Sequence, residues 1–368
     1  MTTWDKAKNI LCVRLDSIGD VLMTTPAFRA LKESKPECKL TLLTSGSGEA
    51  IASLIPEIDE VIRLDAPWMK ATPERDSSRF DTEMIERLRR ENFDAAIIFT
   101  VFSQNPLPAA YLCYLAEIPL RLGYCRENPY QLLNCWLKDN ETEFCLKHEV
   151  VRQLDLVRFV GCGTNNDNLS LAVPEAATQS VTAKLLEQSP GFDITKPWAI
   201  IHPGATAQSR CYPAEKYVIV ADTLVSNYNI QVVLTGTDLE FQLVEFILRS
   251  VRGRTRQRTT SLAGRINLAE MTALIKMAPL LVTNNTGPAH MAAALNTPLV
   301  ELYALTNPQH TPWKGTSRVL FRDVPCNNCF KSVCPMEHHH CLSLVSPQEV
   351  VSNAIALLSS AKEEKLLG

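Results

Sequence analysis

The sequence lacks any long hydrophobic segment. No apolar run approaches the roughly 20 residues that a helix needs to cross a bilayer. The opening stretch, MTTWDKAKNILCVRL, has neither the apolar centre nor the small-residue cleavage site of a secretory signal peptide. We therefore expect the protein to remain in the cytoplasm.

The sequence also lacks an excess of charge of one sign. Its 37 basic and 40 acidic residues give a net charge of −3, whereas a nucleic-acid-binding protein is usually basic. Charge is concentrated locally in a run of five arginines, Arg249, Arg252, Arg254, Arg256 and Arg258. This run is either a solvated helix end or a patch facing anionic lipid or a phosphorylated acceptor.

Several motifs of common enzyme classes are missing. There is no Walker A sequence and no GxGxxG after the first predicted strand, which argues against P-loop NTPases and NAD(P)-binding enzymes. There is no GxSxG elbow of the kind that α/β-hydrolases use. No DxD pair is present to clamp a catalytic metal. These absences argue against those enzyme classes and against a metal clamp of that kind, and we expect the reaction to require no cofactor.

Short apolar segments alternate with amphipathic ones along most of the chain. Segments such as Asn9–Arg14, Lys39–Thr44 and Asp94–Thr100 suit buried parallel strands. The pattern weakens between residues 143 and 196 and then restarts at Trp198. We therefore predict an α/β protein with two Rossmann-like doubly wound domains facing a central cleft. This is the GT-B architecture, and it also fits periplasmic-type binding proteins, some epimerases and some dehydrogenases. The predicted divisions are residues 1–185, residues 186–345 and a C-terminal helix, residues 346–368, packing back toward the first domain.

The first candidate site follows the first predicted strand, in the segment Arg14–Val21. Ligand sites of open α/β sheets lie at the carboxyl ends of strands. Ser17 and Gly19 form the turn, and Gly19 permits close approach of the backbone. Asp20 lies near a helix N-terminus, where it is either a helix cap or a base that accepts a proton from a substrate hydroxyl.

The second candidate site is the segment Asn284–His290, again between a strand and a helix. Free amides at a helix start bind anions, and Thr286 and Gly287 lie at that start. Asn285 precedes them, and His290 is either a ligand-facing or a core histidine. We interpret this segment as a cradle for a diphosphate.

Two further turns carry polar residues at strand ends. The segment His202–Pro213 contains Gly204, Thr206 and Arg210, whose forked guanidinium suits phosphate oxygens. Gly236 and Glu240 follow a later strand. Glu240 is a candidate contact for a nucleoside ribose, and the alternative is a glutamate that stabilises the helix dipole.

Cysteine is abundant, with twelve residues. Eight are scattered and in a reducing compartment are typical of small core residues. The other four, Cys326, Cys329, Cys334 and Cys341, cluster around the run His338–His340. The alternatives for this cluster are a structural zinc site, a structural or redox role, or a thiol-rich loop without metal.

Taken together, these segments resemble glycosyltransferase family 9, the ADP-heptose:lipopolysaccharide heptosyltransferases. The residues that carry the resemblance lie at 14–31, 202–217, 234–240, 283–303 and 325–350. It implies an inverting, metal-independent transfer of heptose from ADP-heptose to a lipopolysaccharide core or a related surface glycan. It also implies peripheral contact with the inner face of the inner membrane, because such acceptors are lipid-linked.

The resemblance also implies roles for individual residues. Asp20 corresponds to the family's general base. Thr286 and Gly287 match its phosphate-binding pair, followed by His290, and Arg210 matches a basic residue that is often lysine. Glu240 matches the glutamate at the nucleoside. Position 285 departs from the pattern, since asparagine stands where the family carries aspartate, and this leaves a different nucleotide sugar or acceptor, or a non-catalytic sugar-nucleotide-binding protein, as alternatives.

Overall fold

The computed structural model describes residues 3–70, 72–142 and 146–367, with side chains up to residue 360. The chain divides into two compact units, Met1–Ala172 and Val173–Gly368. The boundary expected at 185/186 is therefore corrected to 172/173. The physical reason is that helix Glu175–Gln188 packs against helix Leu268–Met277 and so belongs to the second unit.

In its described residues, the first unit is a single parallel sheet flanked by helices. Its strands are β1 (Asn9–Arg14), β2 (Lys39–Thr44), β3 (Glu60–Arg63), β4 (Ala95–Ile98), β5 (Leu120–Cys125) and β6 (Cys135–Lys138). Its helices are α1 (Ile18–Ser34), α2 (Gly46–Ala52), α3 (Arg79–Arg90), α4 (Leu107–Leu115) and α5 (Glu149–Arg158). The strand order is β3-β2-β1-β4-β5-β6.

The second unit repeats this arrangement with unrelated residues. Its strands are β7 (Trp198–His202), β8 (Gln231–Leu234), β9 (Thr259–Ser261), β10 (Leu281–Asn284), β11 (Leu299–Leu302) and β12 (Ser317–Leu320). Its helices are α6 (Glu175–Gln188), α7 (Ala214–Tyr228), α8 (Phe241–Ser250), α9 (Gly253–Gln257), α10 (Leu268–Met277), α11 (Gly287–Leu295), α12 (His340–Ser343) and α13 (Pro347–Leu367). The strand order is β12-β11-β10-β7-β8-β9.

Both sheets have the doubly wound order, which confirms the predicted fold of each unit. In each sheet the order reverses beside the unit's first strand, between β1 and β4 and between β7 and β10. Ligands of such sheets bind outside the carboxyl ends of the strands at this reversal. The segments that follow β1, β7 and β10 therefore start at the points where a ligand is expected.

The strands form where the apolar runs predicted them because parallel strands are covered on both faces. The residues of β4, β7, β10 and β11 are all buried. The strands β5, β6 and β12 were not predicted, since charged or polar residues such as Arg121 and Arg318 interrupt their apolar pattern. Of the scattered cysteines, Cys145 lies outside the described residues, and the other seven are buried or half-buried.

The C-terminal helix is part of the second unit. Val350, Val351, Ala354 and Leu357 of α13 lie in the apolar core that also contains residues of α7 and β11. This corrects the expectation of a helix separate from the second domain. In the described residues, no helix is both long and apolar enough to cross a membrane.

The five arginines of the 249–258 run lie at the end of α8, in the following turn and on α9. Arg249 is largely exposed and pairs with Glu245 one helical turn away. Arg254 and Arg258 donate hydrogen bonds to Asn229 at the C-terminus of α7. These local contacts favour the solvated helix end of the two alternatives.

Leu357 tests whether α13 is integral to the second unit's core. Leu357 is 1% exposed, whereas its neighbour Leu358 only packs against the edge of the same core. We expect Leu357→Ala to lower the free energy of unfolding by about 2–5 kcal/mol, because it leaves a cavity. Leu358→Ala is the matched control and should cost clearly less in urea unfolding followed by circular dichroism. Equal losses would contradict this placement of the helix.

Candidate active site

Asp20 lies in the first turn of α1 and is 9% exposed. Its Oδ2 accepts hydrogen bonds from the Ser17 backbone N–H (3.1 Å) and hydroxyl (2.6 Å), so that Ser17 and Asp20 form a capping box. Its Oδ1 faces Arg14 Nη2 at 3.4 Å. Gly19 is buried within the same helical turn. Asp20 is therefore a helix cap whose second oxygen faces a buried cation.

Arg14 is the last residue of β1, and its guanidinium is surrounded by the carboxyl groups of Asp16, Asp20 and Glu149. Its guanidinium is fully buried and donates to Glu149 Oε1 on α5 at 2.7 Å. Its Nε lies 3.1 Å from Asp16 Oδ2. Burial alone would lower the pKa of Arg14, but the carboxylates of Glu149, Asp16 and Asp20 outweigh burial and raise it. Arg14 therefore stays charged at every pH at which the protein is folded.

Asp16 is the second acidic group of this site. Burial raises the pKa of Asp16 to about 7, with Arg14 opposing the shift and Asp20 adding to it. Gln104, which follows β4, donates a hydrogen bond to Asp16 Oδ1. The site thus holds two aspartates in different environments, Asp20 in the capping box with Ser17 and Asp16 buried beside Arg14 and Gln104.

In the second unit, the segment after β10 begins α11 as predicted. Thr286 is the N-cap residue and makes no side-chain hydrogen bond to the first-turn amides. Gly287 starts the helix, and His290 is 3% exposed in its first turn. Asn285 is 2% exposed and lies beside the Tyr303 hydroxyl. An uncapped helix start of this kind presents amide donors and the positive end of the helix dipole to an anion.

Asn284, the last residue of β10, ties this segment to its surroundings. Its Oδ1 accepts hydrogen bonds from the Tyr212 backbone (3.1 Å) and the Tyr217 hydroxyl (3.0 Å). Its Nδ2 donates to the carbonyls of Pro203 (2.6 Å) and Gly204 (3.3 Å). The sequence analysis did not assign Asn284 a role. It positions the turns after β7 and β10 against each other.

Glu240 and Gly204 are in direct contact. A Cβ on Gly204 would lie 1.9 Å from Glu240 Oε1, so any larger residue at this position would displace the Glu240 carboxylate. Glu240 Oε2 accepts hydrogen bonds from the Thr237 backbone (2.8 Å) and hydroxyl (3.0 Å). Gly236, at the end of β8, packs against the Glu240 side chain. Glu240 is therefore also a capping residue, and it faces the turn that follows β7.

His202 lies at the end of β7, on the other side of this contact. Its Nδ1 is 3.0 Å from the Thr235 hydroxyl, and its Nε2 is 3.9 Å from Glu240 Oε2. Burial lowers the pKa of His202, and Glu240 acts in the opposite direction. His202 is therefore a neutral core histidine at physiological pH.

Arg210 ends a short turn of 3-10 helix, Gln208–Arg210, and is half-buried, whereas Thr206 just before this turn is exposed. A buried acid that the sequence analysis missed, Glu301 on β11, lies close enough for electrostatic interaction with Arg210. In the described residues, neither carboxyl oxygen of Glu301 has a hydrogen-bond partner. Burial raises the pKa of Glu301 well above its usual value, and Arg210 opposes this shift only in part.

The cysteine cluster packs against the turn that carries Arg210. Cys326, Cys329, Cys334 and Cys341 line a cavity of about 20 Å³ together with His338, His339 and Ser209. Ser209 bonds to the backbone carbonyls of residues 331 and 332. Over the residues that the structure covers, no three His, Cys, Asp or Glu side chains are grouped so that they could hold a metal ion. The cluster therefore lies behind the Gln208–Arg210 turn and is joined to it through Ser209.

Glu301 predicts an unusual dependence of stability on pH. An acid whose folded pKa is raised destabilises the folded state increasingly as pH rises above its usual value of 4.5. We expect Glu301→Gln to gain stability relative to the parent chain between pH 5 and pH 8, by at most about 1.4 kcal/mol per pH unit for one proton. Thermal unfolding at both pH values measures the difference.

Glu270→Gln is the matched control for this measurement. Burial tends to raise the pKa of Glu270, but hydrogen bonds from Lys184, Ser180 and Asn267 outweigh it and lower that pKa. This variant should therefore lose stability by the same amount at pH 5 and pH 8, and the loss should shrink only below pH 4.5, as the pH falls through the lowered folded pKa. An advantage of Glu301→Gln that is the same at pH 5 and pH 8 would contradict a neutral Glu301.

The chain is similar to known proteins over nearly its whole length. The model of glycosyltransferase family 9 (heptosyltransferase) matches residues 82–340. Lipooligosaccharide heptosyltransferase 2 of Haemophilus influenzae is 28% identical over 309 residues, which cover 83% of this chain and 85% of that protein.

Two solved structures share the fold. The structure of E. coli ADP-heptose LPS heptosyltransferase II has a TM-score of 0.76 at 24% identity and covers 96% of this chain and 99% of its own. That of E. coli heptosyltransferase WaaC with ADP has a TM-score of 0.68 at 19% identity and covers 95% and 99%. Together with the doubly wound sheets and the residues at their carboxyl ends, these matches establish that the chain is a GT-B glycosyltransferase that belongs to glycosyltransferase family 9.

Proposed function

We propose that the protein transfers heptose from ADP-heptose to a hydroxyl of a lipopolysaccharide core or a related bacterial surface glycan, with inversion at the anomeric carbon and without a catalytic metal. The observation that carries the proposal is Asp20, a carboxylate held at the carboxyl end of β1 by Ser17 and Arg14. A fixed, ionised carboxylate in this position suits a general base. The reaction belongs in the cytoplasm, at the inner face of the inner membrane.

The second unit supplies groups suited to the donor. The amides at Thr286 and Gly287 and the guanidinium of Arg210 are donors that can stabilise a leaving diphosphate. Thr206 on the exposed turn adds a hydroxyl, and Glu240 is the candidate for the ribose. We assign the contacts with the heptose of the donor to Asn285 and His290. The related E. coli WaaC was solved with ADP, which supports an adenine nucleotide here too.

The chemical step follows from these assignments. The acceptor hydroxyl loses its proton to Asp20 while its oxygen attacks the anomeric carbon, and the bond to the diphosphate breaks on the opposite face. The negative charge that develops on the diphosphate is met by Arg210 and the helix amides, which are already oriented and need no reorganisation. Proton transfer to a positioned base typically accelerates a reaction about 10²–10⁴-fold.

The alternative to ADP-heptose is a different nucleotide-sugar donor, and Asn285 is the residue that favours it. Asn285 is buried and uncharged at a position where the family carries aspartate. An amide keeps the size of a carboxylate, but it donates as well as accepts hydrogen bonds. It therefore suits a sugar with a different pattern of hydroxyl groups, and the nucleotide assay below identifies such a donor where its base also differs from adenine.

Nucleotide preference is the first test. We expect ADP to raise the melting temperature of the full-length protein more than UDP, GDP or CMP, with or without EDTA. A ligand at about 100 times its Kd adds ~2.7 kcal/mol of stability. A selective shift by UDP or GDP would replace the donor and keep the fold and mechanism. The absence of a shift with every nucleotide would contradict the proposed activity.

Asp20 and Arg210 should differ in which step they support. Asp20→Asn should lower kcat by about 10²–10⁴-fold and leave ADP affinity nearly unchanged, since the base contacts the acceptor. Arg210→Ala should weaken ADP binding by about 1.5–3 kcal/mol, the range for charged hydrogen bonds. Asp155→Asn, which removes an exposed ion pair on α5, is the control and should retain turnover. A large loss of ADP affinity in Asp20→Asn would falsify the base assignment.

A further inference from the structure

Arg14 and Glu149 form an ion pair that is completely removed from water. Both side chains are 0% exposed, and Arg14 Nη2 lies 2.7 Å from Glu149 Oε1. The two residues are 135 positions apart in the chain, on β1 and at the first position of α5. Burying two charges costs several kcal/mol per ion, which packing of apolar side chains would avoid. Such a pair calls for an explanation beyond stability.

The same nitrogen of Arg14 serves both Glu149 and the candidate base. Nη2 contacts Glu149 Oε1 at 2.7 Å and Asp20 Oδ1 at 3.4 Å. Glu149 is itself held by Gln153 Nε2, which donates to Glu149 Oε1 at 2.6 Å and to the Thr100 carbonyl at 3.0 Å. The position of the guanidinium relative to Asp20 is therefore set from α5 through Nη2, together with the contact of Arg14 Nε with Asp16 at 3.1 Å.

We propose that Glu149 and Arg14 are positioning residues of the transfer reaction: Glu149 anchors the Arg14 guanidinium, and Arg14 orients Asp20 Oδ1 and keeps the Asp20 carboxylate ionised. The inference rests on the proposed role of Asp20 as general base. Neither Glu149 nor Arg14 needs to contact a substrate, because both act through Asp20.

The charges around Asp20 make the inference testable by pH. The network contains Arg14 and Asp16 near Asp20, and Glu149 and Arg152 on α5, with Asp139 and Glu141 paired to Arg152. Removal of the Arg14 charge disfavours the ionised base, whereas removal of the Glu149 charge leaves Arg14 less neutralised and favours it. The acid limb of the kcat/KM profile should therefore move in opposite directions in the two variants.

The experiment measures kcat/KM against pH for the full-length protein with ADP-heptose and a lipopolysaccharide core acceptor. We expect Arg14→Met to shift the acid limb upward by about 1–3 units, the usual effect of one opposite charge at this range. Glu149→Gln, which keeps the shape of the side chain, should shift it downward. Neither variant should change the affinity for ADP.

Arg152→Met is the matched control. Arg152 is as fully buried as Arg14 and lies on the same helix as Glu149, but it pairs with Asp139 and Glu141 rather than with Asp20. Arg152 also lies close enough to Glu149 for electrostatic interaction, so we expect this variant to lose stability and to shift the acid limb upward by much less than Arg14→Met. Should Arg14→Met fail to fold, the downward shift in Glu149→Gln against the small upward shift of the control still tests the proposal.

The outcomes separate this inference from the proposed function. If Asp20→Asn loses turnover but the acid limb stays in place in Glu149→Gln, or moves equally in Arg152→Met, the positioning role is overturned and the base assignment stands. If Asp20→Asn keeps normal turnover in the same assay, both the base assignment and the inference that rests on it fail.

Discussion

The candidate site of the first unit depends on one constraint. The guanidinium of Arg14 carries a full positive charge and is completely removed from water. Such a charge is tolerated only where carboxylates surround it, and loss of one partner of a buried pair typically costs about 3–5 kcal/mol. Three carboxylates meet this requirement: Asp16 and Asp20 follow β1, and Glu149 begins α5. Helix α5 therefore has to pack against α1, and the fold of the unit and the chemistry of its site have the same cause.

The structural and catalytic interpretations of Asp20 are compatible. The carboxylate has two oxygens: Oδ2 is used by the capping box with Ser17, and Oδ1 faces Arg14. The cap fixes the orientation of the carboxylate, so a reaction at this group needs little rearrangement, which is the property that an effective base requires. Glu240 repeats the pattern, because its cap at Thr237 holds it against Gly204.

The sequence was sufficient to predict the features that follow local rules. The apolar strands and the polar turns after them are local patterns, and both sheets have the doubly wound order that they predicted. Pairings over long sequence separations could not be predicted this way. Nothing near Arg14 indicates a partner 135 residues away, and Glu301 lies in an apolar segment that predicts only a buried strand. The boundary at 172/173 depends on the packing of α6, which its own sequence does not determine.

Two adjacent asparagines in the second unit, Asn284 and Asn285, also have roles that the sequence alone does not predict. Asn284 uses both lone pairs of its Oδ1 and both hydrogens of its Nδ2 within the protein, which is the full capacity of a side-chain amide. Aspartate at 284 would lose both donors, and the turn after β7 would be released. In the described residues Asn285 makes no such set of bonds to the neighbouring turns, and a change there would disturb its contact with the Tyr303 hydroxyl rather than the positions of those turns. The sequence Asn-Asn alone does not distinguish these roles, because the difference lies in which strand ends each side chain faces.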